Sequence, residues 1–176
     1  EDIYNGFVRN GANLLGEDKE KYRALCKELS LLTLQFSENN LKETNDYKLV
    51  ITDKSQLAGL PESAVEAAAE TAGEKGVEGW VFTLQAPSYG PFLTYADSRD
   101  LRRELYMAYN TKCTHDNASN NLEIVKKLAN VRMEIAQLLG YDNFAEYNLQ
   151  ERMAQNSESV YKLLDQLLEA YTPTAK

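Results

Sequence analysis

The chain has 176 residues, and its 19 Lys and Arg residues against 27 Asp and Glu residues give a formal net charge of −8. This acidic balance argues against nucleic acid as a partner, because a polyphosphate is bound by clustered Lys and Arg. With 43% hydrophobic and 26% charged residues, the composition is that of an ordinary globular domain, or of one part of a larger domain.

The first third of the chain predicts one long helix and a weaker helix before it. Apolar residues step by three and four positions from Tyr22 to Phe36, which is typical of a helix that buries one face. This helix is predicted to begin at Glu17. The preceding stretch places Ile3 and Phe7 on one face, but it contains glycines, each of which costs about 1 kcal/mol relative to Ala. The weaker helix is therefore expected to depend on neighbouring elements.

Two short strands are predicted near residues 47–51 and 80–84, where β-branched and aromatic residues cluster. Between them, the Leu-Pro pair at 60–61 is typical of a helix start, and residues 63–72 predict an Ala-rich helix. Residues 87–91, with two prolines and a glycine, predict a turn. Because two isolated strands are only marginally stable in water, they are expected to pair beneath the helices as a small sheet.

The second half of the chain predicts a succession of helices. Asp97, with a second aspartate three residues on, is a usable N-cap for the first helix, and a polar loop follows over residues 111–121. A long helix is predicted over residues 122–139, then a short helix capped by Asn143, then a last helix over residues 160–171. Together these elements predict a mainly α fold, a multi-helix lobe with one small antiparallel sheet.

The longest uncharged run, residues 79–96, is long enough to cross a bilayer. It contains two prolines, two glycines and several hydroxyl groups, which would break and hydrate a membrane helix. We therefore predict buried strand and turn in this run, and no membrane as a partner.

Histidine and cysteine are too few for a recognisable catalytic or metal site. Zinc hydrolases of the His-Glu-x-x-His type need two imidazoles one helical turn apart, and this chain has only His115. Cys113 and His115 could supply two ligands from one loop, but no third ligand is evident nearby. We therefore predict no catalytic residue and no metal ligand within this chain.

One charged residue interrupts an apolar stripe in the long helix. The predicted stripe consists of Leu122, Val125, Leu128, Ala129, Ile135, Ala136 and Leu139. Arg132 lies at its centre, and a buried unpaired charge is very costly, so we predict a structural arginine held by a carboxylate or by helix carbonyls. A ligand or partner contact and an exposed helix end are the alternatives. A buried clamp predicts that Arg132→Ala costs about 3–5 kcal/mol.

Several strings, taken in order, resemble the N-terminal half of the thimet oligopeptidase family of zinc metallopeptidases, and within it the bacterial peptidyl-dipeptidases. The resemblance runs from about Leu25 to the end of the chain. The matching strings are residues 36–39 (FSEN), 57–61 (LAGLP), 80–84 (WVFTL), 87–89 (PSY), 99–102 (RDLR), 109–111 (YNT), 130–141 (NVRMEIAQLLGY), 152–154 (RMA) and 159–164 (SVYKLL). No string is very specific alone, but their order and spacing are.

The resemblance implies a zinc enzyme with two helical lobes around a channel that admits short peptides and releases dipeptides from their C-termini. In the family, zinc is held by the two His of His-Glu-x-x-His and by a further Glu, and none of these residues is in this chain. The expectation is that residues 1–176 are part of the N-terminal helical lobe, with segments absent on both sides. The partners would be the missing catalytic lobe and short peptides. The chain alone would bind no zinc and would be inactive.

Three tyrosines are candidates for the channel wall. Tyr89 lies in the predicted turn, and Tyr106 and Tyr109 lie on a predicted helix. A tyrosine can offer a peptide an apolar face and a hydrogen bond together. The alternative for each is a core or surface tyrosine with a satisfied hydroxyl.

An alternative function from another class also fits the sequence: a free-standing helical protein-interaction module without enzymatic activity. Such a module would have a complete surface with no large exposed apolar patch. The fragment hypothesis predicts an exposed face where the other lobe would dock. The sequence leaves the compartment undecided between cytoplasm and periplasm.

Overall fold

A computed structural model describes residues 2–175 of the chain. The predicted fold class is confirmed: this part of the chain is mainly helical, with one two-stranded antiparallel sheet. No helix within it combines the length and the apolar character needed to cross a bilayer. The elements are α1 (Asp2–Arg9), α2 (Gly16–Asp46), β1 (Leu49–Ile51), a 3₁₀ turn (Lys54–Leu57), α3 (Glu62–Glu74), β2 (Trp80–Phe82), α4 (Ala86–Tyr95), α5 (Arg99–Asn110), α6 (Leu122–Leu138), α7 (Phe144–Leu149) and α8 (Ser157–Tyr171).

The chain divides into two compact units. The central unit is residues 34–124, and the terminal unit combines residues 2–33 with residues 125–175. The division passes through α2 after Thr33 and through α6 before Val125.

The central unit is built around the sheet. Strands β1 and β2 pair antiparallel, with Val50 opposite Val81. Helices α3 and α4 pack on β2, and α5 packs on α4. Phe82 and Phe92 meet edge to face, with ring centroids 4.6 Å apart, at the centre of a core that also contains Leu105. The sheet is therefore stabilised as predicted, by burial beneath helices.

The terminal unit has a smaller buried core. Leu25 of α2 packs with Val131 and Ile135 of α6, and partly buried residues surround these three. Helices α7 and α8 contact each other. Asn143 caps α7 as predicted, because its side chain accepts a hydrogen bond from the Glu146 backbone N–H at 3.0 Å.

The prediction of a turn over residues 87–91 is wrong, because these residues lie in α4. Pro87 is in the first turn of the helix, where a missing N–H costs little since no intrahelical acceptor is available. Pro91 is inside the helix and removes one internal hydrogen bond. The complete burial of Phe92 in the core offsets that loss.

The N-cap of α5 is Ser98 and not Asp97. The Ser98 hydroxyl accepts the hydrogen bond from the Leu101 N–H, while the Asp97 N–H donates to the Ala58 carbonyl at 2.9 Å. Gly59 has φ +86°, and a Cβ there would overlap the Tyr95 carbonyl oxygen and the Asp97 carboxylate. The glycine is therefore required where this loop approaches the end of α4.

The apolar stripe predicted for α6 is rotated relative to the one that is buried. The buried side chains are Ile124, Leu128, Val131, Ile135 and Ala136, while Leu122 and Val125 of the predicted stripe are exposed. At 100° per residue, position 132 lies roughly 55° from the centre of the buried line.

Arg132, predicted to be a structural buried arginine, is half-buried. Its guanidinium carbon lies 5.5 Å from the centroid of the Phe144 ring. Within residues 2–175, no carboxylate lies at ion-pair distance from it. The long side chain can cover apolar surface with its methylenes while its head stays near solvent, which removes the need for a buried counter-ion.

Candidate functional site

The structure brings the three candidate tyrosines together in the central unit. Tyr89 of α4 stacks on Tyr109 of α5, with ring centroids 4.4 Å apart and ring planes 28° apart. Tyr106 lies one helical turn before Tyr109. Burial raises the pKa of Tyr89, and the neighbouring Tyr109 and Tyr106 raise it further. The sequence identified the residues, but only the packing of α4 against α5 places them side by side.

We call Tyr89, Tyr106 and Tyr109 the tyrosine surface. Tyr89 is half-buried and packs against the core of the central unit, so it supports the Tyr109 ring that stacks on it. Tyr106 is 53% exposed and Tyr109 is 40% exposed. Two large aromatic side chains are thus held on a rigid helix and remain accessible. Such a surface can make apolar contact and donate hydrogen bonds to the same ligand.

Lys112 adds a positive charge beside the tyrosine surface. Its ammonium nitrogen lies 4.2 Å from the centroid of the Tyr109 ring, at cation–π distance. The same nitrogen donates a hydrogen bond of 3.0 Å to the Thr44 hydroxyl of α2. Lys112 therefore has a fixed position at the carboxyl end of α5.

Glu43 of α2 holds the loop that follows α5. Its carboxylate accepts a hydrogen bond of 2.5 Å from the Cys113 backbone N–H and one of 2.9 Å from the Asn117 side chain. Burial opposes ionisation of Glu43, but these two hydrogen bonds and the charges of His115 and Lys112 together lower the pKa of its carboxyl. The strained left-handed backbone of Cys113, with φ 58°, is fixed by this contact.

A solvent-open cavity of about 480 Å³ lies between α2 and this loop. Glu43, Tyr47, Lys112 and His115 are among its lining residues. The Tyr47 hydroxyl is buried and has no hydrogen-bond partner among residues 2–175. Burial raises the pKa of Tyr47, and the charge of Glu104 adds to this effect. The cavity thus combines charged groups of both signs with an aromatic side chain.

The residues present do not fit a zinc ion. Across the described part of the chain, no three or more His, Cys, Asp or Glu side chains are grouped so that they could hold a metal. The Cys113 thiol is buried, and burial and the charge of Glu43 raise its pKa, whereas a cysteine that binds metal must be a thiolate.

Sequence analysis missed Glu43 and Lys112. Glu43 sits in a long polar stretch of α2, and its hydrogen bonds reach residues about 70 positions away in the chain. No local pattern could indicate that pairing. Lys112 directly follows residues 109–111, one of the strings that carry the family resemblance. Its position in the sequence could therefore have indicated it as a candidate site residue.

Comparison with known proteins gives the family. Residues 92–176, which include the end of α4 and all of α5, α6, α7 and α8, match Peptidase family M3. These residues belong to Peptidase family M3. The family predicted from the sequence is confirmed.

The relatives that the chain resembles over nearly its whole length are peptidases. It is 37% identical to Oligopeptidase A of Haemophilus influenzae and 36% identical to Oligopeptidase A of Escherichia coli, in each case over 98% of this chain and 26% of the relative. It is 32% identical to Dipeptidyl carboxypeptidase of Escherichia coli, over 97% of this chain and 25% of the relative. The chain thus spans about a quarter of the length of these family M3 relatives.

Proposed function

We propose that this chain is a non-catalytic segment of a zinc-dependent family M3 peptidase, and that it forms one wall of a channel for short peptides. The zinc ligands and the catalytic groups would lie in parts of that peptidase outside these 176 residues. The proposed reaction of the whole protein is hydrolysis of oligopeptides, with release of C-terminal dipeptides. The last point follows the name of the dipeptidyl carboxypeptidase relative; the two Oligopeptidase A proteins have higher identities to this chain.

The non-catalytic role is supported by the residues that the chain contains. It has a single histidine, and the two-histidine zinc motif of the family needs two. The described residues also lack a group of side chains that could replace that motif. Since the chain spans only 26% of Oligopeptidase A, relatives of this kind have ample length elsewhere for the zinc site.

The observation that carries the channel-wall role is the tyrosine surface. Tyr106 and Tyr109 lie within the stretch that matches family M3, and they are exposed on one side of α5 while Tyr89 supports Tyr109 from α4. Exposed aromatic residues on a rigid helix are well suited to contact peptide side chains of varied sequence.

The exposed apolar face of α8 supports the larger protein over the free-standing module. Tyr161, Leu163, Leu164, Leu168 and Tyr171 are all at least half exposed. A complete surface seldom leaves so many large apolar side chains on one helix uncovered. We propose that another part of the same polypeptide covers this face.

A peptidase assay tests the non-catalytic role. The 176-residue chain, incubated with zinc and a C-terminally labelled peptide, is expected to release no dipeptide, whereas addition of the catalytic remainder of the protein is expected to restore release. Zinc-dependent turnover by the chain alone would overturn the proposal. The natural reading frame gives a second test, since it must encode His-Glu-x-x-His outside these residues.

A substitution in the reassembled enzyme tests the channel wall. Tyr106→Ala with Tyr109→Ala is expected to raise KM for short peptides about tenfold, because two exposed aromatic contacts are lost. Tyr95→Ala is the matched control, since Tyr95 is an equally exposed tyrosine of the same unit outside the tyrosine surface. Equal KM values for all three proteins would exclude the channel wall as placed here.

A further inference from the structure

A cluster of arginines lies beside the tyrosine surface. Arg99, Arg102 and Arg103 fall within five residues at the start of α5, in a chain whose net charge is −8. Together with Leu93 and Tyr106 they line a pocket of about 440 Å³. We call these five residues the arginine pocket. The pocket is shallow and open to solvent, so it can receive part of a peptide that lies on the surface.

The three guanidinium groups have no acidic partner in the described part of the chain. No carboxylate lies at ion-pair distance from any of them, although Asp97 and Asp100 are close in sequence. Three cations at the amino end of a helix also oppose the helix dipole, so their placement costs stability. Arg99 and Arg103 also have no side-chain hydrogen bond within the described residues, so the folding of this unit does not explain these two arginines.

Arg102 has a fixed position in the pocket. Its Nη1 donates hydrogen bonds to the Ala96 carbonyl and, at 3.0 Å, to the Asp97 carbonyl. A guanidinium has five N–H donors, so donors on its other nitrogens remain available. Arg99 and Arg103 are exposed and lie on the same side of α5, one helical turn apart. One anchored and two adjustable guanidinium groups suit a carboxylate, which arginine can bind through two parallel hydrogen bonds.

The arginine pocket continues into the tyrosine surface through Tyr106, which belongs to both. From Arg103 to Tyr109 is six residues of helix, or about 9 Å along its axis. An extended peptide covers that distance with about three residues at roughly 3.3 Å each. A peptide that lies along α5 would therefore reach the arginine pocket about three residues from the side chain that contacts Tyr109.

We propose that the arginine pocket binds a carboxylate of the peptide substrate, two to four residues from an apolar side chain that rests on the tyrosine surface. The inference rests on the proposed channel wall and adds a specificity to it. The carboxylate can come from an Asp or Glu side chain or from the free C-terminus of the peptide. Both sources have the same chemistry, and the test below separates them.

The test measures binding of short peptides to the full 176-residue chain at low ionic strength. The first peptide is blocked at both ends and contains one Phe and, three positions on, one Glu. The second peptide has Gln in place of Glu. The third also has Gln, but it ends there with a free C-terminal carboxylate at the same spacing from Phe. The fourth keeps Glu and has Ser in place of Phe. Labelled peptides and fluorescence anisotropy give the dissociation constants.

The Glu peptide is expected to bind about fivefold more tightly than the Gln peptide. A difference in affinity of this size is expected for a partly exposed charge pair. Added salt should reduce this ratio because it screens the charges. A similar gain for the third peptide would identify the free C-terminus as an equally good source. Arg99→Gln with Arg103→Gln should bring the ratio close to one. The matched control, Lys54→Gln with Arg152→Gln, removes two exposed cations elsewhere and should leave the ratio unchanged.

The outcomes separate the inference from the proposed function. Equal binding of Glu, Gln and free C-terminal peptides, with a clear loss for the Ser peptide, overturns the arginine pocket and keeps the tyrosine surface. A Glu preference that depends on the arginines, without any effect of Phe, keeps the pocket and overturns the tyrosine contact. Absence of binding by all peptides overturns both. If circular dichroism shows that the double variant does not fold, Arg103→Gln alone replaces it. This single variant should at least halve the ratio of the dissociation constants of the Gln and Glu peptides.

Discussion

The central and terminal units are both mainly helical but differ in how they bury apolar residues. The central unit has nine buried residues in one core, built from the sheet and the helices over it. The core of the terminal unit has three, and α1 and α8 carry large exposed apolar side chains. Because burial of apolar area is the main source of stability, the central unit is expected to be much the more stable of the two. This exposed apolar surface is the basis of the proposal that another part of the polypeptide covers the terminal unit.

The largest expected effect is in the central core. Phe92 is completely buried, and Phe92→Ala should lower the free energy of unfolding by about 3–5 kcal/mol. Phe7, in α1 of the terminal unit, is 65% exposed. Phe7→Ala should therefore change the free energy of unfolding by less than about 0.5 kcal/mol. Urea unfolding of both variants measures the difference. Similar losses for the two would show that α1 is packed in solution.

The next effect is at Glu43, which holds the loop after α5. Glu43→Gln weakens hydrogen bonds to a charged acceptor and should cost about 1–2 kcal/mol at pH 7. The pKa of Glu43 is lower in the folded chain than its ordinary value of 4.5. Its ionised form therefore stabilises the fold above that pH, and this contribution is lost as the pH falls through the lowered pKa.

Unfolding measured between pH 3 and pH 7 tests the role of Glu43. The difference between wild type and Glu43→Gln should shrink on acidification. Glu38→Gln, at an exposed position of the same helix, should show no such pH-dependent difference. A constant difference across this pH range would contradict the role of the ionised carboxylate.

Arg132 is expected to have a smaller effect. Its contact with the Phe144 ring is a partly exposed cation–π interaction, so Arg132→Ala should cost about 0.5–1 kcal/mol. This is well below the 3–5 kcal/mol expected for a buried ion pair. A double-mutant cycle with Phe144→Leu isolates the coupling. A loss of more than about 3 kcal/mol in the free energy of unfolding would instead support the buried, paired Arg132 predicted from the sequence.

The smallest effect on stability is expected at the exposed face of α8. Leu168 is 67% exposed, and Leu164→Gln with Leu168→Gln should change the free energy of unfolding by less than about 0.5 kcal/mol each. The same change should reduce the binding of a hydrophobic dye and any self-association seen by light scattering. Undiminished dye binding together with a large loss of stability would mean that α8 packs within the unit.

The sequence predicted much of the fold because most elements have local signals. The step of three and four in α2, the β-branched cluster of β1 and the cap at Asn143 each depend on neighbours in the chain. The sequence did not predict α4, because the prolines within it suggest a turn. The burial of Phe92, which outweighs the cost of Pro91, depends on residues far away in the chain.

By itself, then, the sequence determined the fold class, the family and the shortage of imidazoles that excludes the two-histidine zinc motif from this chain. Only the tertiary structure decided which side of α6 is buried, that Glu43 holds the loop after α5, and that Tyr89 stacks on Tyr109. It also decided that three arginines share one pocket with Tyr106. The physical reason is that periodicity and composition are local, whereas burial and pairing depend on which distant segments meet.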